Sequence, residues 1–170
     1  MEGADDLNKY FDSKEYITQI IGIDKEPEKP KVNENKISNL ISLLTDPANK
    51  AFKEETLLTL KKEKAGDILL LSIASPKAKT NKHQLVAACW ESEINFSKYL
   101  SFFIILALDS DDLVSLEAIT VISTMEGPFN NDAIKEGIKK VKTVIQNNAN
   151  GSRTVLLNDL IYTLEGFIEK

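Results

Sequence analysis

Two apolar runs with four capping-type residues between them constrain this chain more than any other feature. They lie in the segment 96–125, FSKYLSFFIILALDSDDLVSLEAITVISTM. The first run, from Tyr99 to Leu108, is apolar at almost every position, so periodicity alone allows a buried strand or a buried helix. Its length and the second run decide for helix. It is too short, and too soon followed by acids, to cross a membrane. The second run places Val114, Ala118, Val121, Ile122 and Met125 at helical spacing, which makes one continuous stripe. Asp109, Ser110, Asp111 and Asp112 are good N-cap types, and their charge suits the positive end of the second helix. The segment therefore predicts a helical hairpin.

The same grammar recurs. A helix from Ile37 to Leu44 stops at Thr45-Asp46-Pro47, and a second follows from Asn49 to Lys62. Ile68 to Ala74 stops at Ser75-Pro76, and Asn81 to Ser92 follows. Ala133 to Gln146 breaks at 147–151, and a last helix runs to Glu169. The breaks recur at roughly 30 to 38 residues, an irregular period typical of helical solenoids.

The turn-then-helix segments DPANKAFKEETLLTL and DSDDLVSLEAITVI resemble the second helix of HEAT repeats. Asp46-Pro47 matches the family's Asp-Pro, and Asp109 with Val114 and Ala118 matches its Asp and central small residue. The Arg that the family carries early in that helix is replaced by Phe52-Lys53 and by Val114-Ser115. The resemblance covers about residues 36 to 168. It implies an all-α, right-handed alpha-alpha superhelix, an armadillo-like solenoid of about four HEAT-like helix pairs. Residues 1–23 are expected as an N-terminal helical cap, with Leu7, Tyr10, Phe11, Ile17, Ile20 and Ile21 on its apolar side. Residues 24–35 are a charged, Pro-containing linker and 36–170 the repeat domain.

Composition narrows the functional classes. Net charge is −5 and Arg153 is the only arginine, whereas a phosphate-tracking or base-reading protein calls for a basic excess and several Arg. No secretory leader is recognisable. The single Cys89 cannot form an internal disulfide, which agrees with a reducing compartment, so a cytoplasmic location and no membrane partner are expected. No phosphate-binding glycine loop, metal-ligand cluster or nucleophile–base pair is present, so no enzyme activity, cofactor or metal is expected. His83 has no second His to work with and reads as a surface or half-buried residue, and Cys89 has no activating base and reads as a small buried one. Asp109, Asp111 and Asp112 lack the spacing, Gly and distant Glu of a calcium loop.

A protein-interaction scaffold, binding its partner on a concave face made by the second helices, is the expected function. Trp90, Glu91 and Glu117 are the candidate binding residues. Trp90 is either an anchor for a bound segment or a packing residue against the next pair. Two alternatives stand beside this reading. One is a HEAT-type enzyme similar to DNA glycosylases, or a nucleic-acid binder, which the acid balance disfavours. The other is a structural subunit that self-associates through its apolar C-terminal helix.

Overall fold

Short polar residues punctuate the chain, and each does so by capturing backbone amides that a helix start leaves unpaired. The structure, a computed structural model, describes residues 34–108, 111–148 and 151–168. The expected N-terminal cap and most of the linker lie outside the described residues. Asp46 accepts from the amide of Ala48 (2.9 Å) and starts a 3-10 turn at Pro47–Phe52. Ser75 accepts from Lys77 (3.3 Å) and starts another at Pro76–Ala78. Asp111 caps the second helix of the central hairpin through Leu113 (2.9 Å) and Val114 (3.3 Å). Asn130 does the same for the following helix through Asp132 (2.9 Å) and Ala133 (3.2 Å).

The described residues form eight α-helices and three short 3-10 turns, with no strand among them. The helices are α1 (Glu34–Thr45), α2 (Lys53–Lys62), α3 (Gly66–Ile73), α4 (Lys82–Glu91), α5 (Leu100–Ala107), α6 (Asp112–Ser123), α7 (Asn131–Asn148) and α8 (Gly151–Ile168). The third 3-10 turn is Ser97–Tyr99. The expected helix over Asn49–Lys62 is thus two elements, because Pro47 and the Asp46 cap favour a tight turn before the α-helix begins. Asp67 is not the cap of α3. It sits in the first turn, where its charge still favours the helix end. The ends of α2 and α4 carry left-handed residues, Lys64 and Glu93 (both φ 54°), where glycine is the usual choice.

The chain divides into two compact units, one ending at Ile94 and one beginning at Asn95. In the first, α1 packs on α3 and α4, burying Leu40, Ile41, Leu44, Leu69, Leu70, Ile73, Leu85 and Val86. Two ion pairs tie α2 to the end of α4. The Lys53 ammonium sits astride the Glu91 carboxylate, 2.9 Å from Oε1 and 2.7 Å from Oε2. Its hydrogen bond goes to Oε1, and Oε2 is held by charge. Lys61 binds Glu93 and holds that carboxyl below its usual range, by the hydrogen bond first and then by charge. The contribution of this exposed pair is present above the ordinary glutamate pKa and fades as pH falls through the lowered one.

In the second unit α5 is packed by α6 and α7, and α8 covers α7 and α6. A helix apolar all round must be covered on all sides. Accordingly every residue from Phe102 to Leu108 is buried. Phe103 is fully buried between Phe96 (5.5 Å between ring centres) and Phe102 (5.3 Å). The carbonyl of Ala107 has no partner further along its own helix. The fully buried Ser115 hydroxyl donates to it from α6. On α7 Ile134 and Val141 are buried, Ile138 and Ile145 half-buried, and Lys135, Lys139, Lys140 and Lys142 exposed.

The one arginine is a structural clip. Arg153, in the first turn of α8, donates to Asp112 Oδ1 (2.9 Å) and to the carbonyl of Leu108 (3.1 Å). Its forked guanidinium joins the end of α5 and the start of α6 to α8, with only 14% of its side chain exposed. Arg153→Ala is expected to cost about 1–2 kcal/mol, because Asp112 is largely exposed and the Leu108 carbonyl is not. Arg153→Lys recovers little of it, since one ammonium cannot reproduce the fork. Denaturant melts of the two variants, at low and high salt, check this.

Candidate functional site

The second helices of the expected pairs are α2 and α4 in the first unit and α6 and α8 in the second, and their outward residues are the candidate contact residues of each unit. On α4 the core side is Leu85, Val86, Ala88 and Cys89, with Ser92 just beyond. Trp90 follows Cys89 by about 100° around the helix, so it lies at the edge of the buried arc and is 37% exposed. Its ring both packs and keeps about a third of its surface in solvent. Glu91 is next to it in sequence but is occupied by Lys53. Glu117 lies in the other compact unit, half-buried on α6. Trp90 and Glu91 therefore share one helix, and Glu117 belongs to a separate set of neighbours.

The outward residues that composition did not single out are apolar. Eight large apolar side chains are exposed among the described residues: Phe52, Leu58, Trp90, Leu113, Leu116, Val155, Tyr162 and Ile168. Leu58 is on α2, and Phe52 directly precedes that helix. Leu113 and Leu116 are on α6, and the last three on α8. None is on α1, α3, α5 or α7. Helical period could have found some of them. Leu113 and Leu116 stand opposite the residues that α6 buries, and Val155 and Tyr162 opposite those that α8 buries. Ile168, by contrast, follows the buried Leu164 by four residues and is exposed at the helix end. The apolar content of the C-terminal helix is resolved in the same way. Leu157, Leu160, Leu164 and Phe167 are buried, whereas Val155 and Tyr162 share the outer side with Asn158, Asp159 and Glu165.

Among the described residues no three His, Cys, Asp or Glu side chains converge in a way that would hold a metal ion. A dent between α5 and α7, lined by Ser101, Ile104, Gly137 and Lys140, measures about 10 Å³. That is room for a single water. His83 is half-buried on α4. Cys89 is fully buried, and desolvation raises its thiol well above the usual range. The thiol is therefore neutral at pH 7 and not a nucleophile. Its effect on stability is lost as pH rises past the ordinary thiol pKa. A thiol-specific reagent is expected to leave Cys89 unmodified in the native protein at pH 8 and to label it fully in denaturant. Rapid native labelling would show that α4 opens locally. No described helix is long and apolar enough to cross a membrane.

Comparison with protein-family models, with curated proteins and with solved structures finds no match in any of the three.

Proposed function

We propose that this chain is a non-enzymatic, cytoplasmic protein-interaction scaffold, a right-handed solenoid of HEAT-like pairs α1–α2, α3–α4, α5–α6 and α7–α8. In this reading the second helices carry the partner-binding face. One observation carries it: the exposed large apolar side chains all belong to second helices or, for Phe52, to the turn leading into one. Singly exposed apolar residues are ordinary on any surface. Within each unit they are confined to the second helix of each pair or the turn before it, which is what a binding role for those helices requires. Aromatic residues among them, Trp90 and Tyr162, have the type that anchors interfaces. The nucleic-acid alternative is weakened by Arg153, whose guanidinium is engaged by Asp112 and Leu108.

The test is quantitative affinity capture from lysate of the source cell. Trp90→Ala, Leu58→Glu, Leu116→Glu and Tyr162→Ala are compared with Lys135→Ala and Lys139→Ala on the first helix α7. The reading expects a protein recovered near stoichiometry with the parent chain and the lysine variants, and lost with second-helix variants. Recovery that is unchanged across all six would refute it.

A further inference from the structure

We propose that α2 is a strap: a short helix latched by its lysines onto the acidic C-terminal end of α4, which lets go as one piece while α1, α3 and α4 stay folded. The proposal concerns the first unit alone and does not depend on the scaffold reading.

Burial comes first. Over the 3-10 turn Pro47–Phe52 and all of α2, Leu60 is the only buried side chain. The inward stripe of α2 reads Lys53, Leu57, Leu60 and Lys61, at i, i+4, i+7 and i+8, with Lys53 and Leu57 half-buried. Two leucines thus lie between two lysines. Among the described helices α2 packs on α1, and its lysines make the reach to α4. So little apolar contact puts α2 at the low-stability end of the structure. Both of its ends are also breaks in the helical pattern. The 3-10 turn precedes it, and Lys64 follows it in the left-handed region (φ 54°). A helix bounded in this way can move as a unit, with its two ends absorbing the change.

Electrostatics supplies the latch. α4 ends at Glu91 with no basic residue in its last turn, and Glu93 stands just beyond. Carboxylates there face the negative pole of the helix and its unpaired carbonyls. Lys53 and Lys61 neutralise them from α2. The two pairs are not equivalent. Lys61 and Glu93 are both exposed, so salt screens their attraction. Lys53 and Glu91 are only 33% and 25% exposed, and Glu91 Oε2 is shut off from solvent with the Lys53 ammonium 2.7 Å away. Loss of Lys53 strands that oxygen without water or counter-charge, and opening of the strap rehydrates it. Opening also bares Glu91 and Glu93 beside Trp90. Ionic conditions therefore decide whether the acidic end of α4 is covered.

The test is hydrogen–deuterium exchange of the full chain, read by mass spectrometry at about 20 mM and about 500 mM sodium chloride, which brackets weak and strong screening. Amides of α2 are expected to exchange about tenfold faster than those of α3 at low salt, and faster again at high salt, with α3 indifferent to salt. Lys53→Met should speed exchange in α2 about tenfold further, and Lys61→Gln only about twofold. The double variant Lys53→Met/Glu91→Met removes the stranded carboxylate and should return α2 toward the parent rate. The salt comparison needs no substitution, and circular dichroism verifies that the variants fold. Exchange of α2 as slow as that of α3, salt acceleration absent or shared equally by α3, a silent Lys53→Met, or no recovery in the double variant overturns the proposal.

Discussion

Phe103→Ala is expected to destabilise the protein by about 3–5 kcal/mol, the largest effect of any single truncation considered for the second unit. Phe103 is fully buried at the centre of α5, with Phe96 and Phe102 both in edge-on contact. Alanine removes the ring's buried area, leaves a cavity between helices already packed on every side of α5, and breaks both aromatic pairs. Phe103→Leu refills most of the volume and should recover about half of the loss. Urea melts followed by circular dichroism measure both variants. A loss below about 1 kcal/mol for the alanine variant would mean that the surrounding helices collapse onto the gap, and that α5 is not held as described.

The second large effect is expected at Gly137, and it comes from adding atoms. Gly137 is buried on α7 where that helix meets α5. A Cβ built there would lie 2.4 Å from Ile104 Cδ1, whose side chain is itself almost fully buried. Gly137→Leu therefore requires α7 to move off α5 and is expected to cost about 3 kcal/mol, at the upper end of overpacking. Gly137→Ala is the informative case. Alanine gains about 1 kcal/mol of helix propensity over glycine and clashes only with the last carbon of Ile104, the two Cγ atoms lying at ordinary contact distance. Ile104→Val deletes that carbon and alone costs about 1 kcal/mol. The double variant Gly137→Ala/Ile104→Val should then be more stable than the sum of its single variants predicts. A double-mutant cycle in urea reads the coupling directly. Strict additivity would show that the two helices are not in the contact described.

The capping rules explain why the helical hairpins are legible in the amino-acid sequence. Asp46, Ser75 and Asn130 stop or start elements where their side chains compete for backbone amides, and this competition is local in sequence. The run from Phe102 to Leu108 demands cover on all sides, and α5 has it. Finer boundaries are less legible. Lys64 and Glu93 end helices in left-handed conformations without glycine, so the usual stop signal is missing from the chain. The candidate binding residues are legible only in part. Trp90 is marked by its type, and its 37% exposure agrees with a side chain serving both packing and solvent. Glu91 is marked by its charge, but Lys53, some forty residues earlier, engages that charge. No local rule reveals such a partner.

What the sequence by itself determined is the class and punctuation of this protein: an all-helical chain among its described residues, broken at short polar caps, with apolar stripes marking each buried side. Those features depend on interactions within a few residues and on the 3.6-residue period. The tertiary structure decided which polar groups act as struts and which apolar groups stay outside. Arg153 became a clip to Asp112 and Leu108 because α8 begins beside the α5–α6 turn. Gly137 became a contact point because α7 lies against Ile104. Leu113 and Leu116 became a surface because α6 turns its other side to the core. Each of these depends on distance in space between residues far apart in the chain, and periodicity carries no information about that distance.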